Sequence, residues 1–284
     1  MFDSVFKDIK YYLKFGDIIT RLIIINVIIF FITALTNAFA PTFYHQVLPY
    51  LAVPSDISVL LYRPWTLITH GFIHDGLWHV IFNMLTLYWF GNIAGDLLNF
   101  RRILPVFLSG ILFGALFFIA SGYFNPSVGG YAVGASAGVM AIVFMAVMAS
   151  PDYEISLILL GRVKIKYIGI VVLFLDLIGV AGQSNSGGHA AHIGGAIIGM
   201  LYVFGLRNGF DIFSSKASSP KTKKSAKRTL KVVHKKQPFS DKNSDSNSLQ
   251  DQVDQILDKI KKDGYNSLSD VEKDILYKAS NTEN

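Results

Sequence analysis

The stretch Ile103–Ser150 carries no charged residue and is far too long for a single membrane crossing. A helix of about 20 apolar residues spans the roughly 30 Å of hydrocarbon in a bilayer. Turn-forming residues between 121 and 130 divide the stretch, which predicts two helices near residues 103–120 and 134–150. Four other apolar segments complete a predicted set of six spans: Leu22–Ala40, Gly76–Gly95, Tyr167–Gly182 and His189–Leu206.

Charge is unevenly distributed along the chain. Residues 1–209 hold 11 of the 26 basic and 9 of the 20 acidic residues, and the tail holds the rest. With 51% hydrophobic residues, the sequence predicts an apolar body with a charged tail rather than a soluble domain. Basic residues next to apolar spans normally face anionic lipid, so the net charge of +6 does not indicate nucleic-acid binding. The lack of cysteine excludes disulfides, a thiolate nucleophile and a thiolate metal site.

The basic residues of the body also predict its orientation, since such residues concentrate in cytoplasmic connections. Ten of the eleven precede span one, separate spans two and three, separate spans four and five, or follow span six: Lys7, Lys10, Lys14, Arg21, Arg101, Arg102, Arg162, Lys164, Lys166 and Arg207. Only Arg63 falls on the other side. Both termini are therefore predicted to be cytoplasmic, in a bacterial inner membrane. Ala38–Ala40 resembles a signal-peptidase site, but the apolar run before it is too long for a signal peptide, so span one is predicted to be retained.

Polar residues within the predicted spans are candidates for function, because lipid penalises them unless they face a cavity or a partner. His79 and Asn83 share one face of span two, where they could also form a simple interhelical contact. Ser136 opens span four, and the unpaired N–H groups and positive dipole of a helix start suit a developing oxyanion. The alternative is a small packing residue, because Gly134 and Gly138 also form a helix-packing motif.

His192 lies in the outer part of span six, with Gly195 and Gly199 on the same helix face. These glycines predict the close approach of another helix. If that helix is span four, Ser136 and His192 meet at similar depth as nucleophile and base, without needing a third carboxylate.

Three further polar residues carry weaker signals. Asp176 in span five is a functional candidate as a buried carboxylate, but a hydrogen-bonded structural role is favoured over a catalytic one, because no basic partner is expected at its depth. His189 is predicted to lie at the mouth or surface of the bundle. Asp75 is predicted to be a solvated residue of an external loop.

Together these motifs resemble the rhomboid family of intramembrane serine proteases. The match consists of three motifs in order: His74-x4-His79-x3-Asn83 on span two, Gly134-Ala-Ser136 at the start of span four, and Ala191-His192-x2-Gly195 on span six. It covers roughly residues 15–207. The family often has glycine directly after the serine, where this chain has Ala137. The family's first external loop commonly carries a Trp-Arg pair, where this chain has Arg63-Pro-Trp65.

The resemblance implies an all-α membrane protein, a six-transmembrane-helix bundle of rhomboid type at residues 18–207, after a cytoplasmic segment at 1–17. Its substrates would be single-span membrane proteins that enter between spans two and five. Ser136 would be the nucleophile and His192 its general base. The oxyanion and substrate-stabilising groups would be the Ser136 N–H, His79, Asn83 and Gly134, with His74 in support. No cofactor and no metal are implied.

The tail is predicted to contain two parts. Residues 208–247 are rich in Lys, Ser and Asp, which predicts a basic, disordered linker near the membrane. Apolar residues at helical spacing within 248–284, interrupted at Asp263-Gly264, predict a small helical hairpin in the cytoplasm. The hairpin is interpreted either as a docking element for a protein partner or as a marginal autonomous element.

Two other functions, a catalytically inactive binding protein and a metal-dependent protein, agree less well with the residues present. A catalytically inactive rhomboid-like protein that binds membrane clients would lack the serine or the histidine, and both are present. A histidine-based metal transporter or metalloprotease is disfavoured because the chain has no His-Glu-x-x-His and no carboxylate is expected beside the histidines of any span.

Overall fold

The computed structural model describes residues 2–125, 128–157, 161–182, 185–213, 247–263 and 267–280. It divides into two compact units, residues 1–218 and 219–284. The helices of the first unit are α1 (Phe2–Phe15), α2 (Ile18–Phe39), α3 (Pro41–Val47), α4 (Ile57–Tyr62), α5 (Thr66–Thr69), α6 (Leu77–Leu98), α7 (Ile103–Phe124), α8 (Ser136–Ala149), α9 (Ile165–Ala181) and α10 (Ser186–Arg207). Its short strands are β1 (Val53–Pro54), β2 (Tyr131–Ala132), β3 (Glu154–Leu157) and β4 (Gly161–Lys164).

Three helices of the described residues are long and apolar enough to cross a membrane. They are α2, α10, and α7 extended by the 3-10 turn before it to Phe100–Phe124, with mean hydropathies of 2.5, 1.4 and 2.5. The other predicted spans also fall on helices, namely α6, α8 and α9. The chain is therefore a mostly helical integral membrane protein.

Helix α8 lies at the centre of the first unit, and every residue of 137–147 is buried. It packs against α6, α7 and α10, and its contacts with α7 and α10 include small residues. A Cβ on Gly114 of α7 would overlap Ala137, and a Cβ on Gly195 of α10 would overlap the backbone carbonyl of Ala137. Gly199 of α10 has the same relationship to the carbonyl of Ala141. The glycine face of α10 therefore contacts α8, the neighbour required for Ser136 and His192 to meet.

The loop between α2 and α6 is fastened to the segment that enters α8. Strands β1 and β2 pair antiparallel, with Val53 opposite Ala132. Within the loop, the indole N–H of Trp65 donates to the carbonyl of Tyr50 at 2.8 Å, and the Arg63 guanidinium stacks 3.8 Å from the centroid of the Tyr50 ring. Arg63 and Trp65 thus anchor the same short turn within the loop.

The residues just after α10 fold back onto the first unit. Asp211 forms an ion pair of 2.6 Å with Arg102, which lies just before α7, and accepts a 3.2 Å hydrogen bond from Tyr202. Residues 208–213, the start of the predicted linker, are therefore attached to the bundle. The remainder of that linker to residue 246 lies outside the described residues.

The second unit contains two helices in contact, α11 (Asn247–Asp263) and α12 (Asp270–Ser280). Lys259 donates to both carboxylate oxygens of Glu272, at 2.9 and 3.0 Å. Ser269 and Glu272 form a capping box, since the Glu272 carboxylate accepts from the Ser269 N–H at 2.7 Å and the Ser269 hydroxyl accepts from the Glu272 N–H at 3.4 Å. Ile256 of α11 and Leu268, which lies just before α12, are buried.

Candidate active site

The backbone immediately before Ser136 has a conformation that requires glycine. Gly134 has φ +132°, and its N–H donates a 2.9 Å hydrogen bond to the carbonyl of His70. A Cβ at Gly134 would lie 2.8 Å from Cε1 and Nε2 of His79 and 3.5 Å from Oγ of Ser136. Glycine therefore leaves the space in which the His79 ring approaches the backbone leading to the serine.

Ser136 is the first residue of α8 and lines a cavity of about 1410 Å³. It is half-buried, and its hydroxyl makes no side-chain hydrogen bond to any described residue. The N–H groups of a first helical turn lack intrahelical partners, and they carry the positive end of the helix dipole. The position therefore suits a nucleophile whose attack creates negative charge beside it.

His79 and Asn83 lie one turn apart on α6 and line the same cavity. Asn83 donates from Nδ2 to the carbonyl of His79 at 2.9 Å, and its amide has a second N–H available for another acceptor. Nδ1 of His79 contacts Oδ1 of Asp75 at 2.5 Å. With Nδ1 bonded in this way, Nε2 can donate a hydrogen bond only when the ring is an imidazolium. The side chain of Asp75 is 72% exposed, as predicted, but it is also a partner of His79.

His74 supports this part of the site by packing. It is buried, and neither of its ring nitrogens forms a hydrogen bond of good geometry with a described residue. Its ring lies edge-to-face with that of His79, with 5.0 Å between the ring centroids. Burial, with a further contribution from His79, lowers the pKa of His74 to about 4. His74 is therefore a neutral ring that limits the positions His79 can occupy.

The base candidate is held by a carboxylate that was predicted to be structural. Nδ1 of His192 lies 2.8 Å from Oδ1 of Asp176, and Nδ1 of His189 lies 2.8 Å from the same oxygen. Asp176 is buried, and its other oxygen, Oδ2, has no hydrogen-bond partner among the described residues. The expectation that Asp176 has no basic partner at its depth is therefore wrong.

The connection between α9 and α10 explains this correction. Helix α9 ends at Ala181 and α10 begins at Ser186, so the two helices are neighbours joined by a short turn. Asp176 precedes that turn, and His189 and His192 follow it, each by about one to two helical turns. In two helices joined by a short connection, residues at similar distances from that connection lie at similar depth in the bundle. This spacing is the sequence signal that would have predicted the contact between Asp176 and the two histidines.

His189 is more enclosed than a residue at the mouth of the bundle. Its side chain is 29% exposed and its ring packs on Gly179 of α9, where a Cβ would overlap it. One ligand atom from each of Asp176, His189 and His192 lies within 4.8 Å of the others, so these three residues could hold a metal ion.

One cavity joins these groups. Its walls include Ser136 at the start of α8, His192 on α10, and His79 and Asn83 on α6. The arrangement presents a hydroxyl, an imidazole held through Nδ1, and polar side chains that can donate to an oxyanion. These are the groups that acyl transfer by a serine nucleophile requires.

Comparison with known proteins gives two family matches. A model described as Rhomboid domain matches residues 62–209, and a family of unknown function, DUF6576, matches residues 241–282. The chain is 29% identical over 161 residues to RHOMBOID-like protein 12, mitochondrial, of Arabidopsis thaliana, covering 52% of this chain and 48% of that protein. It is 29% identical over 165 residues to Rhomboid protease GlpG of Yersinia enterocolitica, covering 56% and 53%.

A third relative is Presenilin-associated rhomboid-like protein A, mitochondrial, of Danio rerio, 26% identical over 141 residues and covering 48% of this chain and 36% of that protein. The chain thus spans about half the length or less of these curated relatives. The rhomboid match nevertheless extends over just over half of the 284 residues and contains all three motifs of the candidate site. The chain therefore belongs to the rhomboid family.

Proposed function

We propose that this chain is an intramembrane serine protease that hydrolyses peptide bonds in or near the transmembrane segments of other membrane proteins. The observation that carries the proposal is the shared cavity, which Ser136 and His192 line from adjoining helices whose backbones are in contact at Gly195 and Ala137. The relative named Rhomboid protease GlpG supports it.

The proposed reaction is acyl transfer to Ser136. Nε2 of His192 accepts the proton of Oγ as Oγ attacks the scissile carbonyl, and then donates it to the departing amine. The backbone N–H of Ser136, the Asn83 amide and the His79 ring stabilise the tetrahedral oxyanion. Water then hydrolyses the acyl-enzyme by the reverse sequence of proton transfers. No step requires a metal or a cofactor.

Asp176 acts in this mechanism as a positioning residue. A neutral imidazole carries one proton, and a carboxylate 2.8 Å from Nδ1 of His192 keeps that proton on Nδ1. The lone pair of Nε2 then faces the cavity and can accept the serine proton. The same carboxylate stabilises the imidazolium that forms during attack. The proposed site is thus a serine–histidine pair oriented by a third residue.

The proposed topology has six crossings, α2, α6, α7, α8, α9 and α10, with both termini in the cytoplasm. The positions of the basic residues support it, because Arg101, Arg102 and Arg207 lie at helix ends assigned to one side. Helix α8 has 14 residues and is about 21 Å long, shorter than the roughly 30 Å hydrocarbon core. Ser136 at its start would therefore lie below the outer membrane surface, and the cavity would supply water.

The proposed substrates are single-span membrane proteins that enter between α6 and α9. Both helices contribute to the cavity walls, with Trp78 and Phe82 from α6 and Val172 and Leu175 from α9. Trp78, Phe82 and Leu175 are largely exposed on the bundle and form an apolar approach for a transmembrane helix. The two tail helices are proposed to dock a cytoplasmic partner.

The decisive experiment is fluorophosphonate labelling of the purified chain, read beside cleavage of a single-span model substrate. Wild type should be labelled and should cleave, whereas Ser136→Ala should do neither. Ser121→Ala is the matched control, because the Ser121 hydroxyl donates to the Phe118 carbonyl at 2.7 Å and does not line the cavity. An unlabelled, inactive wild-type chain that still binds membrane proteins would establish the inactive, client-binding function instead.

A further inference from the structure

We propose that Asp176, His189 and His192 form a zinc-binding site through which Zn²⁺ inhibits the protease. The inhibition rests on the proposed function, whereas zinc binding by the three side chains does not. The proposal starts from an asymmetry in the site: two histidines contact one carboxylate, and the hydrolytic mechanism uses only one of them.

The ligand geometry is close to that of a zinc shell. Nδ1 of each histidine lies 2.8 Å from Oδ1 of Asp176, and the three ligand atoms lie within 4.8 Å of one another. In tetrahedral coordination with bonds of about 2.0–2.2 Å, ligand atoms are about 3.3 Å apart. The histidines are three residues apart on α10 and the aspartate is on α9, so modest side-chain rotation would complete three corners of a tetrahedron.

The second oxygen of Asp176 is an independent sign of a ligand. The Asp176 side chain is only 5% exposed, and Oδ2 has no hydrogen-bond partner in the part of the chain that the structure describes. A buried carboxylate oxygen without a partner is costly, and a bound cation compensates it. His189 and His192 are both half-buried, and His192 and Asp176 line the cavity, so an ion and a water at the fourth position can reach the cluster.

The donor set selects zinc over the abundant hard cations. Two imidazole nitrogens and one carboxylate oxygen suit Zn²⁺, whereas Mg²⁺ and Ca²⁺ prefer shells of oxygen ligands. Three protein ligands with an open fourth position give a site that can load and release zinc from the cavity side.

Zinc bound at this cluster would prevent His192 from acting as a base, because it changes which ring nitrogen carries the proton. Without metal, the proton of neutral His192 is on Nδ1, shared with Asp176, and Nε2 has the lone pair that accepts the Ser136 proton. When Zn²⁺ takes the lone pair of Nδ1, the single ring proton moves to Nε2. Nε2 then cannot accept the proton of Ser136, so the nucleophile is not activated. Release of zinc restores the active tautomer.

Binding is tested first, on a chain that cannot cleave. The full chain carrying Ser136→Ala, purified in detergent without a histidine tag, competes for Zn²⁺ with a chromophoric chelator. It should bind one zinc, and adding His189→Gln should weaken that binding at least about 10-fold. His189→Cys should restore it, because a thiolate returns a zinc ligand. His45→Gln is the control, since His45 is exposed on α3 and outside the cluster, and it should change nothing.

Inhibition is tested on the chain with Ser136 intact, each variant being compared with its own zinc-free rate. Zn²⁺ should slow cleavage of a single-span substrate, EDTA should restore it, and Mg²⁺ should have no effect. His189→Gln should raise the inhibitory zinc concentration at least about 10-fold, in parallel with the binding result.

The binding and inhibition measurements distinguish failure of the zinc site from failure of the inhibition. Zinc affinity unchanged by His189→Gln overturns the site. Zinc that binds through the cluster yet leaves cleavage unaffected overturns the inhibition. A wild-type chain that cleaves nothing refutes the protease function and the inhibition with it, while the chelator competition still decides whether the zinc site exists.

Discussion

Nδ1 of His192 on α10 lies 2.8 Å from Oδ1 of Asp176 on α9, so the candidate base is oriented by a residue of the neighbouring helix. This contact makes the geometry of the base depend on the position of α9. The same helix lines the proposed substrate entrance, through Val172 and Leu175. The proposed substrate entrance and the orientation of the candidate base therefore involve the same helix.

Replacing the carboxylate of Asp176 should slow the chemical step. Asp176→Asn should lower kcat by about 10²-fold, within the range that general-base catalysis contributes, because His192 loses the charge that holds its Nδ1 proton. KM and the unfolding midpoint should change little. Asp96→Asn, at an exposed position of α6, is the control. Full activity of Asp176→Asn would mean that another group orients His192.

Ser136 and His192 should behave as one unit. Ser136→Ala and His192→Ala should each reduce cleavage to a trace, and the double variant should be no worse than either, because each loss removes activation of the same nucleophile. Rates of substrate cleavage with comparable yields of folded protein measure this. Additive losses would show that the two residues act in separate steps.

Losing an oxyanion donor should cost less than losing the nucleophile. His79→Ala and Asn83→Ala should each lower kcat by about 10²–10³-fold while Ser136 remains open to fluorophosphonate labelling. Asn92→Ala is a matched control, because Asn92 also lies on α6 and donates to the carbonyl four residues before it, that of Tyr88, at 2.6 Å. Unchanged turnover in both test variants would refute the oxyanion assignment.

Mild acid should destabilise the fold through two buried histidines. Burial lowers the pKa of both His70 and His74 to about 4, below the unfolded value near 6.5. Between these pKa values the unfolded chain binds protons that the folded chain excludes. The free energy of unfolding therefore decreases as the pH is lowered, by up to about 1.4 kcal/mol per pH unit for each histidine.

The unfolding midpoint in detergent should therefore drop from pH 7 to pH 5. His74→Leu should make that drop smaller, whereas His45→Gln, at an exposed position, should leave it unchanged. A midpoint that does not depend on pH over this range would contradict the assignment of His70 and His74 as buried neutral rings.

Two truncations should separate the tail from the bundle. A chain ending at Phe213 keeps the Arg102–Asp211 ion pair and should cleave a model substrate in detergent at nearly the full rate. A chain ending at Asn208 loses that pair and should be less stable by about 1 kcal/mol, or about 2–4 °C in midpoint. Arg102→Ala in the full chain should reproduce the shift. Loss of cleavage in the longer truncation would mean that the tail shapes the site.

The sequence alone predicts the elements of the fold well, because apolar length and turn residues are local signals. The predicted spans near 103–120 and 134–150 lie on α7 and α8, although α7 continues to Phe124 and so includes the first four residues of the segment assigned to turns. The glycine face of α10 was also readable, since spacing along a helix determines which residues share a face. Such arguments need no knowledge of which helices are neighbours.

Pairings across helices were harder to predict, because they depend on rotation and relative depth. Asp176 was assigned no partner, yet the short connection to α10 places it beside His189 and His192. The ion pair between Arg102 and Asp211 joins two residues that are separated in the sequence by four of the six predicted spans. His74 was placed near the site, but its full burial depends on the packing of the loop before α6.

The burial of α8 has a consequence for how the chain tolerates variation. Helix α2 exposes Phe31, Ile32 and Leu35 to lipid, where one apolar residue can replace another. Helix α8 has no such side, since its residues from Ala137 to Val147 are buried all round, and Ala137 and Ala141 contact glycines of adjoining helices. A saturation library should therefore show intolerance on every face of α8, in place of the one-sided pattern of a peripheral membrane helix.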